Sequence, residues 1–175
     1  AKKTGQALKD VKFSAAYSSM QKRAQDTANY ILAENNLANI PHFHHAGLNE
    51  FDFGSWEGMK SVDLFEHDEY WIMKRTPKDY QALSNGGETY EKVYQRALAA
   101  FKEIAEKHQQ DENVLIVSHG MTLTVLTAVL KGLPWHEARN EDLHSFVINT
   151  AINIVEVDGE KNTLKVFNQV DHLDK

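Results

Sequence analysis

Val114-Leu115-Ile116-Val117-Ser118-His119-Gly120-Met121-Thr122 is the stretch that decides how this chain folds. Four apolar residues in a row, with no polar alternation, are what a parallel strand covered on both faces shows. A histidine follows at the carboxyl end of that strand, a glycine permits a tight turn, and a helical pattern starts at once and runs to Lys131. Ligands of open α/β sheets bind at the carboxyl ends of strands. A helix N-terminus placed there offers free backbone N–H groups and the positive end of a dipole to an anion. A bound anion would bias His119 toward its charged form. The plainer alternative is a histidine hydrogen-bonded in a strand-end loop, and position alone does not separate the two.

Working outward, residues 1–10 read as the tail of an amphipathic helix and Phe13 to Ser18 as a short strand. Ser18 or Ser19 is placed to cap a helix over about 20–35, with Ala24, Thr27, Ala28, Ile31 and Leu32 inward. A loop or short strand is expected near Pro41 to His45, an ordered loop over 47–58, and a helix over 61–74 that stops before Pro77. Asn85-Gly86-Gly87 is a turn, and Thr89 opens a long helix carrying Val93, Ala97, Ala100, Phe101 and Ile104. The C-terminal part reads as a hairpin turning at Asp158-Gly159. Strands alternating with helices give an α/β three-layer sandwich, a mostly parallel central sheet with helices on both faces. No linker or repeat divides residues 1–175, so a single domain is expected.

Two further blocks carry chemistry. In the block running from Ser18 to Ala28, Arg23 follows a strand and turn in the first turn of a helix. A cation there opposes the helix dipole, a cost that a bound anion would offset, and the planar guanidinium suits a phosphoryl group. A solvated arginine is the alternative. In Leu48-Asn49-Glu50-Phe51-Asp52-Phe53-Gly54-Ser55-Trp56-Glu57-Gly58, an acid among aromatic residues is suited to carry a raised pKa and to give and take a proton. Glu50 as a mere cap or salt bridge, with the aromatics as core, is the competing reading.

Taken in order, Ser-Ser-x-x-x-Arg-Ala-x-x-Thr-Ala, Leu-x-Glu-x-x-Phe-Gly-x-Trp-Glu-Gly, Gly-Gly-Glu-Thr and Val-Ser-His-Gly resemble the histidine phosphatase (phosphoglycerate-mutase-like) superfamily. The resemblance runs from about Gly5 to Leu173, through Arg23, Glu50, Gly86-Gly87-Glu88-Thr89 and His119. It implies phosphoryl transfer through a phosphohistidine. Glu50 would be the general acid and base, and Arg23 and His119, with the N–H groups of Gly120 and Met121, would stabilise the phosphoryl oxygens. It implies no metal and no cofactor. Members also carry an Arg-His-Gly whose histidine is phosphorylated, and no Arg-His-Gly occurs in these 175 residues. The resemblance therefore places the nucleophile outside them, on a central strand ahead of Ala1, and makes the domain incomplete at its N-terminus. Without that strand the sheet should split and expose edges on both sides. The chain alone is expected to be inactive.

Between the family's activities, the compact segment from Glu50 to Gly86 and the short tail favour hydrolysis of a small phosphate ester over phosphoglycerate mutase activity. A non-catalytic phospho-ligand or protein-binding module is the alternative from another class. Net charge −6 argues against a nucleic-acid surface, and no apolar run approaches a membrane span. The absence of cysteine excludes disulfides and thiolate chemistry and agrees with a cytoplasmic protein. A small phosphorylated substrate is the expected partner, and a homo-oligomer is compatible with the sequence. His42, His44 and His45 place two imidazoles on one strand face, short of the third ligand a metal needs. His67, His108, His136, His144 and His172 read as surface or capping residues.

Overall fold

The computed structural model describes residues 1–173. Its helices are α1 (Lys2–Ala7), α2 (Lys22–Ala33), α3 (Asp68–Arg75), α4 (Tyr90–Glu106) and α5 (Gly120–Leu130). Its strands are β1 (Phe13–Ser18), β2 (His42–His44), β3 (Asn113–Val117), β4 (Ile152–Asp158) and β5 (Lys161–Gln169). Strands β2-β1-β3 form a parallel sheet in that order, with Ser18 level with both His44 and Val117. The apolar alternation of β1 covers both faces. Ala16, Leu115 and Val117 pack on Ala24, Ala28 and Ile31 of α2, while Ala15 and Tyr17 meet Leu48, Ala100 and Ile104 on the other side. The expected α/β sandwich is therefore present.

Strands β4 and β5 form a separate antiparallel hairpin. Among the described residues, β3 pairs only with β1 and β4 only with β5, so the strands fall into two separate sheets. Ile154 and Val157 of β4 remain exposed.

Three expectations need correction. Residues 61–74 are not one helix: a single turn at Ser61–Leu64 precedes α3. The Phe65 carbonyl accepts from the Trp71 indole at 2.9 Å, and His67 is extended, which breaks the ladder between them. Helix α2 begins later than expected and has no side-chain cap. The hydroxyl of Ser19 accepts instead from the Gln21 N–H at 3.2 Å and meets a histidine ring.

His144 is the third. It is only 2% exposed, wedged against α5 with Nε2 3.2 Å from Thr127 Oγ1 and its ring 4.6 Å from that of Phe167. Its Nδ1 is buried without a hydrogen-bond partner. Burial, helped by the charge of Lys131, pushes its pKa below the ordinary 6.5, against a weaker upward pull from the Thr124 backbone. The unfolded chain therefore binds more protons than the folded one just below that value. Stability from this group should be intact above about pH 6.5, fall as the pH drops, and level off once the folded pKa is passed. Urea titrations at several pH values should show that slope reduced in His144→Leu. An unchanged slope would mean that His144 titrates alike in both states.

Candidate active site

Because β1 and β3 are parallel and in register at Ser18 and Val117, the residues that follow them emerge side by side. Ser19 donates its backbone N–H to the Val117 carbonyl at 3.2 Å, and His119 stands at the start of α5. Ser19 Oγ lies 2.7 Å from His119 Nε2, with both residues buried. Arg23, in the first turn of α2, donates from Nε to His119 Nδ1 at 3.2 Å. That bond assigns the tautomer: Nδ1 accepts, so the neutral ring carries its proton on Nε2 and donates it to Ser19. Burial pushes the His119 pKa down. The charge of Glu50 pulls it up, and Arg23 and Arg96 push it down again, leaving it below the ordinary value. The cationic His119 expected from the sequence thus requires the anion itself. A phosphoryl group that draws Arg23 off Nδ1 and adds negative charge favours protonation there.

Glu50 sits at the same end of the sheet, tied to both strands' loops. Its N–H donates to Gln21 Oε1 at 3.0 Å, and Gln21 Oε1 also accepts from Arg23 Nη2 at 3.4 Å. Its carboxylate caps α5. Oε1 accepts from the N–H groups of Phe51 (2.8 Å) and Thr122 (3.1 Å), and Oε2 from that of Met121 (3.4 Å). The Thr122 hydroxyl is drawn more closely to the Asn49 carbonyl, at 2.7 Å. Arg23, Glu50 and His119 are thus brought together at the carboxyl edge. The N-terminal donors of α5 are placed differently from expectation: Met121 N–H faces Glu50 rather than open space. Over Gly120 lies the ring of Phe146, whose Cε1 would stand 3.2 Å from an added Cβ.

Two residues that the motifs left unassigned hold this loop. Gln21 links Arg23 to Glu50 as described. Arg96, two turns into α4, places all five of its donors. Nε and Nη2 grip Glu88 at 2.7 and 2.8 Å, Nη1 reaches the carbonyls of Gly47 (2.9 Å) and Asn49 (2.8 Å), and Nη2 that of Glu50 (3.0 Å). Glu88, in the Gly-Gly-Glu-Thr block, also accepts from the Asp52 N–H at 3.1 Å. Gly87 beside it has no room for a side chain, since a Cβ would collide with the Asp52 carbonyl. The Glu88 block was legible in sequence. Arg96 was not, because nothing local to a helix face marks an arginine whose partners come from a loop some 46 residues away.

One cavity, about 470 Å³, lies beside Glu50, Asp52, Glu57, Glu88 and Arg96. Its acidic rim and the fully occupied donors of Arg96 make it a poor seat for a phosphate. Another, about 310 Å³, is lined by Trp56, Met121, Lys74, Arg139 and Phe146 among others. The Ser19–His119–Arg23 group lines neither. Of the histidine cluster, His42 Nε2 and His44 Nδ1 both meet the buried Ser18 hydroxyl, at 2.9 and 3.0 Å, so they share a face as expected. His45 turns away to Glu103. No group of three or more metal-ligating side chains is assembled among the described residues.

The family model of the histidine phosphatase superfamily (branch 1) matches residues 1–170. A 2,3-bisphosphoglycerate-dependent phosphoglycerate mutase from Cytophaga hutchinsonii is 30% identical over 140 residues, 79% of this chain and 65% of that enzyme. The chain thus spans just under two thirds of that relative. Among solved structures, YhfR of Bacillus stearothermophilus superposes with a TM-score of 0.88 at 30% identity, covering 98% of this chain and 82% of that one. An alpha-ribazole phosphatase from Shigella flexneri does so with 0.77 at 28% identity, covering 96% and 80%. Phosphatases and mutases are both represented.

Proposed function

Because the chain belongs to the histidine phosphatase superfamily, we propose that it works in phosphoryl transfer through a phosphohistidine, hydrolysing a small phosphate ester. The observation that carries this reading is the 3.2 Å contact of Arg23 Nε with His119 Nδ1 at paired strand ends. Two cation-capable groups held against each other, with no carboxylate between them, are set to receive an anion. On arrival of the substrate, Arg23 exchanges the imidazole for phosphoryl oxygens, His119 takes a proton on the vacated Nδ1, and both donate to the equatorial oxygens. Ser19 keeps the ring in place from Nε2. Glu50 protonates the leaving oxygen, then accepts a proton from the water that cleaves the phosphoenzyme. The attacking imidazole is assigned to an Arg-His-Gly strand beside β3, where the sheet is divided. Hydrolysis is favoured over mutase activity by the short connection from Phe51 to Asn85, which turns tightly through three small helical segments. The substrate is read as a small phosphorylated molecule, and no metal takes part in the scheme.

The decisive experiment incubates two proteins with a ³²P-labelled phosphate ester: these 175 residues, and the same residues preceded by an Arg-His-Gly strand. Acid-labile, base-stable label should appear on the longer protein only. Label on the shorter one that vanishes in His119→Ala would make His119 the nucleophile and overturn its assignment here. Phosphate binding without label on either protein would instead favour the binding-module reading.

A further inference from the structure

The two inward arginines near α5 are used in opposite ways. Arg96 has an oxygen for each of its five donors. Arg139, half-buried, has one: Nη1 donates to the Tyr90 hydroxyl at 3.3 Å, with a weak contact to Met121 Sδ at 3.8 Å. Its guanidinium otherwise lies 5.9 Å from the Phe146 ring. The Tyr90 hydroxyl donates its own hydrogen bond to the Met73 carbonyl at 3.1 Å, so it is a neutral partner. Among the described residues no carboxylate pairs with Arg139 or with Lys74, which lies 5.2 Å from the Tyr70 ring. Both cations line the 310 Å³ cavity, as do Trp56 and Phe146. Its one carboxylate, Glu57, accepts from the Phe53 N–H at 3.0 Å. Met121, two residues beyond His119, forms part of the same wall.

A partly desolvated guanidinium with most donors unspent, set in aromatic walls, is matched by a ligand that brings a flat apolar body and an anion. We propose that this cavity takes the alcohol portion of the substrate, and that Arg139 selects alcohols whose apolar or aromatic body carries a carboxylate. This rests on the phosphoryl-transfer reading for its link to catalysis, while the binding claim can be tested without turnover. Glu57 on the rim disfavours anions that cannot reach Arg139, which sharpens the selection.

The probes are 3-hydroxybenzoate and 3-cresol, alike in shape and differing in charge, titrated into the protein and followed by NMR shifts of arginine side-chain and backbone N–H groups. The expected result is that 3-hydroxybenzoate binds about tenfold or more tightly than 3-cresol, as one charge-assisted bond provides, with the Arg139 Nε–H among the shifted signals. Arg139→Met should abolish the preference. Arg139→Lys, which keeps the fold-friendly charge but not the fork, should retain part of it. Equal binding of the two probes, or a preference that survives in both variants, overturns the inference. Orthophosphate is titrated separately and should shift His119. Its failure would count against the phosphoryl-transfer reading alone, since the 3-hydroxybenzoate preference stands or falls on Arg139.

Discussion

Glu50→Gln, in a form of the protein that turns over, should slow hydrolysis of an alkyl phosphate by about 10²- to 10⁴-fold and that of a nitrophenyl phosphate far less. A basic alkoxide needs a proton as it departs, whereas nitrophenolate leaves without one. In the proposed mechanism Oε2 is the oxygen with room to deliver the proton. Oε1 is held by two backbone N–H groups, at 2.8 and 3.1 Å, while Oε2 has only the Met121 N–H at 3.4 Å. Glutamine keeps the shape and can keep the two Oε1 contacts, so the loop should survive; a thermal melt of the variant checks this. Initial rates for the two esters, compared as a ratio, decide the matter. Equal losses would mean that Glu50 serves only as the cap of α5 and holds the loop.

Arg96→Met should destabilise the fold by about 2–3 kcal/mol, somewhat less than removing one partner of a fully buried ion pair costs. Both side chains are largely shielded, each with 22% of its surface exposed. The loss is compounded because Arg96 also holds the carbonyls of Gly47, Asn49 and Glu50. Burial pushes the Glu88 pKa up, but Arg96 and the Asp52 N–H outweigh it and leave it below the ordinary carboxylate range. Without Arg96 that balance reverses, and Glu88 should take up a proton at a higher pH. Adding Glu88→Gln to the variant should recover part of the stability, since a neutral amide is cheaper to leave unpaired. Arg96→Lys should restore little, because a point charge cannot serve five directions. Urea midpoints for the three variants test the set. A loss under about 1 kcal/mol in Arg96→Met would place the pair in the class of exposed bridges.

What was legible in the sequence was local. The run Val114-Leu115-Ile116-Val117 read as a covered strand and His119-Gly120 at its end as the start of a helix, since apolar run, glycine and helical period are neighbours in the chain. Arg23 followed from the same strand-turn-helix order, and Thr89 as the cap of α4 from its place after two glycines. The spaced blocks, read together, identified the family.

Tertiary structure decided everything that depends on a partner far along the chain. It put the Glu50 carboxylate on the N-terminus of α5, so the donors expected to face a phosphate instead face a protein acid. It gave Arg96 five acceptors from two loops and left Arg139 with one, although the two residues look alike in sequence. It buried His144, expected at the surface, because the hairpin brings Phe167 against a ring whose neighbours in sequence are polar or exposed. Hydrophobic period reports which face a residue lies on. The number of its hydrogen-bond partners is set by segments 20 to 70 residues away, and only their packing supplies that.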